Sequence, residues 1–308
     1  MGHRPRIGLV GCGRWGKHIL RDLVYLDCEV ICVARSAESC ERAVAGSASA
    51  IVHDVGELPA IDGAIVAVPT LAHGRVIDAL LERRVPIFVE KPIAPRAAEA
   101  WRLARLAPDR LFVMDKWRYH PGVEMLGSIA RGGELGPVLG LRTLRVGWGH
   151  AHDDVDSVWI LAPHELAIAL EILGEVPEPR AAVGERTGDG LTHLVGMLGF
   201  GASGWMALEV SARRAAWRRE VHLHCEAGVA TLDDAYAEHV SIVHGDGTGP
   251  SNQTELRRID TELPLLRELQ AFVRHVRKEG PPPRSSAEEG ARIVSAVSAL
   301  RAFAGFTE

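Results

Sequence analysis

No stretch of this sequence reaches the ~18 consecutive apolar residues that a membrane-spanning helix requires, although hydrophobic residues make up 47% of it. No apolar h-region precedes the first strand pattern either, so no signal peptide is expected. Cysteine is scarce. Cys12, Cys28, Cys32, Cys40 and Cys225 are odd in number, and none of their spacings suits a metal site, so no metal is expected. They read as reduced, mostly buried thiols and point to a cytoplasmic protein, in which the sequon Asn252-Gln253-Thr254 carries no meaning. Basic residues are not in excess: the net charge of −5 gives no footprint for nucleic acid or an anionic membrane surface. Internal repeats and low-complexity tracts are also absent. What remains, 308 residues with an ordinary 24% of charged side chains, is long enough for two globular domains with separate cores.

The densest signal is Gly8-Leu9-Val10-Gly11-Cys12-Gly13-Arg14-Trp15-Gly16. The apolar residues Ile7 to Val10 read as a strand, and Ile19, Leu20, Leu23 and Val24 as the apolar stripe of a helix. Between them a G-x-G-x-x-G turn would present backbone N–H groups, at the positive end of that helix, to a pyrophosphate. Gly11 would permit the tight turn, Gly13 the approach of phosphate, and Gly16 the packing of helix on strand, with Arg14 and Trp15 beside them. A second absence then bears on which dinucleotide is bound. An acid about twenty residues further on would take the ribose 2′-hydroxyl of NAD. Here the second strand, Glu29 to Ala34, ends in Arg35-Ser36. Arg35 suits the 2′-phosphate of NADP and Ser36 could add a hydrogen bond, so NADP is expected over NAD.

Strand and helix patterns alternate through the first third. Ala64 to Val68 stops at Pro69-Thr70, with His73 just beyond; Val85 to Val89 stops at Glu90-Lys91-Pro92; a helix over Ala97 to Leu106 and a strand over Leu111 to Met114 follow. Such alternation builds a doubly wound parallel sheet, the Rossmann arrangement, with ligands at the carboxyl ends of its strands. Arg14, Arg35, Pro69, Lys91 and Asp115 all fall at or beyond those ends. After Tyr119 the pattern changes. A helix from Pro121, a long strand from Leu139 to Trp148 and a helix from Val158 to Leu173 lead into several strands, a Gly- and Ser-bearing loop near Gly245 to Thr254, and two closing helices. This predicts an α/β dinucleotide domain over 1–118 and an α+β domain over 119–308 with an open, largely antiparallel sheet.

With the glycine turn, Glu90-Lys91-Pro92 and His164 inside a second-domain helix, the chain resembles the Gfo/Idh/MocA family over its full length. The resemblance implies an NAD(P)-dependent oxidoreductase acting on a sugar, nucleotide sugar or cyclitol, and a homodimer or homotetramer joined through the second-domain sheet. Carried over by position, Lys91 would touch both the nicotinamide ribose and the reacting oxygen, where an ammonium stabilises developing negative charge and relays a proton. Pro69 and His73 match the family's Pro-x-x-x-His, which lines or braces the cofactor pocket, and His164 matches its acid/base histidine. One departure stands out. The family commonly places Asp one turn before this histidine, and here the residue is Ile160, with Leu161, Ala167 and Ile168 on the same helical face.

Lys116, Arg118, Tyr119 and His120, or the segment His150-Ala151-His152-Asp153-Asp154, are the candidates to supply the missing group, Tyr119 as an assistant in catalysis. Two other readings follow from Ile160: a cofactor-binding sensor without turnover, or a reductase of an imine or enone. Trp117, Trp148 and Trp159 are expected to pack in the core, and His222 and His224 to share one face of a strand without binding metal.

Overall fold

Six short apolar segments, β1 (Arg6–Val10), β2 (Glu29–Val33), β3 (Ala50–Val52), β4 (Gly63–Val66), β5 (Ile87–Glu90) and β6 (Leu111–Met114), pair in parallel in the order β3-β2-β1-β4-β5-β6. This computed structural model describes residues 4–149, 155–188, 190–245 and 250–306. All strands but β3 are buried over almost their whole length. That follows from a parallel sheet whose crossover helices cover both faces, and it explains why these strands read as continuous apolar runs. The crossovers are α1 (Gly16–Tyr25), α2 (Ala37–Ala45), α3 (His73–Leu80) and α4 (Ala97–Leu106). Neither α2 nor β3 was apparent in the sequence. β3 is three residues long, half exposed and at the sheet edge, so it carries little apolar signal.

The chain forms two compact units, Met1–Lys116 with Leu265–Val294, and Trp117–Pro264 with Ser295–Glu308. The expected change of domain between 118 and 119 lies two residues from the first crossing; the return of 265–294 to the first unit was not anticipated. That return is made by α7 (Pro264–Val276), which buries Leu265, Leu269, Phe272 and Val273 in the same core as Ile7, Leu9 and Phe88. Phe272 stacks on Phe88 with ring centroids 4.9 Å apart, a pairing worth about 0.5–1.5 kcal/mol beyond its buried area.

The second unit is built on eight strands: β7 (Val138–Trp148), β8 (Glu178–Thr187), β9 (Gly190–Phe200), β10 (Gly204–Ser211), β11 (Arg213–Cys225), β12 (Gly228–Leu232), β13 (His239–Gly245) and β14 (Pro250–Arg258). Their order is β14-β13-β12-β11-β7-β10-β9-β8, antiparallel throughout except for the parallel pair β7/β10. Two helices belong to this unit, α5 (Pro121–Gly132) and α6 (Ser157–Leu173), and α8 (Ala287–Phe303) passes from the first unit to the second.

Alternation along the strands separates two faces. Leu141, Leu194, Leu198, Met206, Leu208 and Val210 are buried on one; Val183, Met197, Trp205 and Leu256 are exposed on the other. β12 was missed in the sequence, and the loop expected over Gly245 to Thr254 is a correction: β14 begins at Pro250 and pairs with β13. Glycine, proline and serine hid a strand that its neighbour's open edge supports. Residues 246–249 lie outside the described residues.

Candidate functional site

The glycine turn leads directly from β1 into α1. Gly11 has φ of +99°, and a Cβ there would stand 2.6 Å from the Ala67 carbonyl oxygen, so no other residue fits without moving backbone. Gly16 is needed for a different contact than expected. A Cβ on it would collide with the Gly11 carbonyl of the turn itself, while the nearest atom of the strand side, Ala67 Cβ, is 3.8 Å away. Gly13 is the reverse case: nothing lies within 4 Å of its Cβ position. The turn is therefore closed on its strand side and open at Gly13. Trp15, at the N-cap of α1, makes no side-chain cap, and the first turn holds no acid. By contrast Ser36 caps α2, His120 caps α5 and Asp156 caps α6. The open cradle and the uncapped N–H groups of α1 fit a dinucleotide pyrophosphate.

At the tip of β2, Arg35 is exposed and already engaged. Its guanidinium donates to the His53 carbonyl at 3.1 Å and to Asp54 Oδ2 at 2.5 Å. The Gly56 N–H and Arg35 hold the Asp54 carboxyl below its ordinary range. Ser36 Oγ accepts from the Ser39 N–H at 3.2 Å as the cap of α2. So the strand tip carries a cation and, supplied by Asp54 two residues after β3, a carboxylate that the sequence reading placed nowhere near it.

The ends of β4, β5 and β6 are tied together. His73, 1% exposed at the start of α3, has Nδ1 2.9 Å from the Pro92 carbonyl and Nε2 3.0 Å from the Val68 carbonyl. Both ring nitrogens lie within hydrogen-bond distance of a backbone carbonyl. His73 thus braces the segment leaving β4, where Thr70 is buried beside Pro69, against the turn that carries Lys91. The Lys91 backbone N–H donates to Glu90 Oε2 at 3.1 Å. Burial pushes the Glu90 carboxyl up, while Lys91, Lys116 and the Trp15 indole pull it back. Lys116 Nζ lies 4.4 Å from the centre of the Trp15 ring.

One further member of this cluster was missed. Glu268, on α7, is 1% exposed, and its carboxyl is pushed well above the ordinary range by burial and by the negative charges of Glu90 and Asp115. Lys116 and the Asp115 backbone N–H oppose that shift. The signal was present: Glu268 sits among Leu265, Leu269, Phe272 and Val273 on the apolar stripe of its helix, where a carboxylate is out of place.

In the second unit, His164 is half-buried on α6 and packs edge-on to Trp117, ring centroids 6.5 Å apart. Behind Trp117 lies Arg145, its guanidinium 4.2 Å from the ring centre and paired with Glu165. Glu165 is therefore committed to Arg145 and does not stand in for the acid missing at Ile160. Arg118 pairs with Glu171 at 3.2 Å. His120 Nδ1 accepts from the Gly122 N–H and its Nε2 donates to the Ala235 carbonyl, which fixes one neutral tautomer. Tyr119 is 5% exposed. Asp156 caps α6 and pairs with Arg301, a structural task.

Among the tryptophans, Trp117 and Trp159 are 6% exposed as expected, but Trp148 is a correction at 61%, on the last residue of β7 with the Arg213 guanidinium 5.4 Å from its ring centre. His222 and His224 stack on one strand face, and no metal-binding group occurs among the described residues. The candidates His150, His152, Asp153 and Asp154 lie outside the described residues.

Residues 5–113 match the family described as "Oxidoreductase family, NAD-binding Rossmann fold". Over this segment the chain is similar to the Gfo/Idh/MocA oxidoreductases. A myo-inositol dehydrogenase of Streptomyces leeuwenhoekii is 35% identical over 143 residues, 44% of each chain. Inositol 2-dehydrogenase 1 of Paenarthrobacter aurescens is 27% identical over 148 residues, 44% of this chain and 43% of that one. The match thus spans less than half the length of either relative. Across the whole fold, the UDP-N-acetylglucosamine 3-dehydrogenase of Acidithiobacillus ferrooxidans superposes with a TM-score of 0.84 at 21% identity, covering 98% of both chains. A levoglucosan dehydrogenase in complex with NADH and levoglucosan gives 0.86 at 16% identity, again over 98% of both. These two dehydrogenase structures share the fold of this chain. No helix among the described residues is long and apolar enough to cross a membrane.

Proposed function

We propose that this protein is a nicotinamide-dinucleotide-dependent dehydrogenase that acts on a carbon bearing a hydroxyl or carbonyl in a sugar, nucleotide sugar or cyclitol. The observation that carries the reading is Lys91, held at the carboxyl end of β5 by Glu90 and by the His73 brace on Pro92, on the same sheet as the open Gly13 cradle. The names of four similar proteins, two inositol dehydrogenases, a nucleotide-sugar dehydrogenase and a levoglucosan dehydrogenase, support the substrate class.

Bound there, the nicotinamide would supply the hydride acceptor or donor. Gly11, Gly13 and Gly16 shape the turn that receives the pyrophosphate, with Arg14, Trp15, Pro69, Thr70 and His73 around it. The Lys91 ammonium stabilises negative charge on the substrate oxygen and relays its proton. His164 serves as acid/base, since an imidazole exchanges protons near neutrality, and Tyr119 assists it. NADP is the preferred cofactor on the strength of Arg35 and Ser36; a 2′-phosphate would have to share the guanidinium with Asp54. The exposed Val183, Met197, Trp205 and Leu256 on the open sheet face support a homodimer or homotetramer through that sheet. Five unpaired cysteines support a cytoplasmic location.

Single-turnover mixing of the purified protein and NADPH with a panel of keto-sugars, followed at the nicotinamide absorbance, tests the reading. Oxidation of the bound cofactor supports it. Tight dinucleotide binding with no oxidation by any sugar, cyclitol or nucleotide-sugar ketone favours the second reading, a sensor on the same fold, which the apolar surroundings of His164 (Ile160, Leu161, Ala167, Ile168) recommend.

A further inference from the structure

A shelf of Trp217 and Arg219 stands on the same face of the second-unit sheet as Arg145. Successive residues of β7 alternate between faces, so Arg145 and Gly147 point the same way. Cross-strand pairing places Arg219 of β11 directly opposite Arg145. At Gly147 a Cβ would stand 2.7 Å from Trp217 Cε3 and 2.8 Å from Cδ2, so the indole lies over the glycine and only glycine leaves room for it. Arg219 then lies 5.1 Å from the Trp217 ring centre. On this face the arrangement runs without a break: His164 against Trp117, Trp117 on Arg145, Arg145 opposite Arg219, and Arg219 on Trp217.

The two arginines differ in their charge balance. Arg145 is enclosed and neutralised by Glu165. Arg219 pairs with no carboxylate among the described residues, and its charge acts on Arg145 as a like neighbour. Trp217 is 60% exposed, although a large apolar ring ordinarily seeks cover. A guanidinium that no described carboxylate pairs, on an open indole and opposite Arg145 in strand register, is a receptor for a ring with a negative substituent: the indole takes the apolar face of the ring, and the fork of Arg219 takes a carboxylate or phosphate.

We infer that Trp217 and Arg219, seated over Gly147, form a specificity subsite for an anionic group on the substrate. The inference rests on the dehydrogenase reading above and narrows its substrate class to acidic or phosphorylated sugars. Its ligand chemistry has two sources, a sugar carboxylate or the diphosphate of a nucleotide sugar.

Binding of three probes, glucuronate, uridine diphosphate and glucose, to the full chain saturated with NADPH tests it by calorimetry. An anionic probe is expected to bind at least tenfold more tightly than glucose, and which anion does so identifies the source. Arg219→Gln is expected to abolish that preference, and Arg219→Lys to restore part of it. Arg218→Gln removes the same unit of charge from the opposite sheet face, where Arg218 pairs with Val146 of β7, and is expected to retain the preference. Equal binding of all three probes, or an Arg219→Gln variant that matches Arg218→Gln, overturns the inference. The dinucleotide titration that precedes the probes separates this failure from that of the underlying reading, which would appear as lost NADPH binding.

Discussion

Arg145 and Glu165 form an ion pair in which both side chains are shielded from water, 6% and 1% exposed. Removing one partner leaves a buried charge uncompensated, which costs about 3–5 kcal/mol, whereas replacing both with apolar groups of similar volume is near neutral. Glu165→Ala is therefore expected to lower the thermal midpoint sharply, and the double variant Arg145→Met with Glu165→Leu to recover most of it. A single variant as stable as the parent would show that the pair is hydrated in solution.

Glu268 predicts a pH dependence of stability. Its carboxyl is raised in the folded protein, so the folded state binds a proton that the unfolded chain has released. The stability carried by the neutral acid is complete below the ordinary carboxylate pKa near 4.5 and is lost as pH rises through the raised value. Glu268→Gln, which cannot ionise, should flatten that decline above pH 4.5 in denaturant titrations. Parallel profiles for the two proteins would refute the assignment.

Gly16→Ala drives a methyl group into the Gly11 carbonyl. Overpacking of this kind costs about 1–3 kcal/mol, and here the strain falls on the turn that receives the pyrophosphate. The expected result is a folded protein with reduced stability and a larger loss of dinucleotide affinity, read by fluorescence titration. Gly13→Ala meets open space, so its stability should stay within about 1 kcal/mol while dinucleotide binding falls.

Lys91→Ala should keep dinucleotide binding and lose roughly 10²–10⁴-fold in the rate of single-turnover hydride transfer, the range for a lost proton-transfer group. A fully active variant would remove Lys91 from the mechanism.

Arg35→Ala should weaken NADPH by about 10- to 100-fold, the worth of a hydrogen bond to a charged group, and leave NADH unchanged. Equal affinities of the unaltered protein for the two cofactors would show that Asp54 keeps the guanidinium from the 2′-phosphate.

The sequence by itself determined β1, β2, β4, β5 and β6 of the first unit. Its strands are apolar through and through because both sheet faces are covered, and the glycine turn is legible because its backbone geometry excludes side chains. Lys91 and His164 became candidates through the family resemblance, which carries their roles over by position in the chain. Short edge elements were harder: β3 and β14 are held by the neighbouring strand's unpaired backbone groups, and their side chains carry little of the signal. Tertiary structure alone decided where distant charges meet. Asp54 reaches Arg35 because β3 lies beside β2, Glu268 reaches Asp115 because α7 returns to the first unit, and Arg219 faces Arg145 through the register of two long strands. Apolar periodicity is written along the chain, whereas the pairing of charges depends on which strands and helices become neighbours.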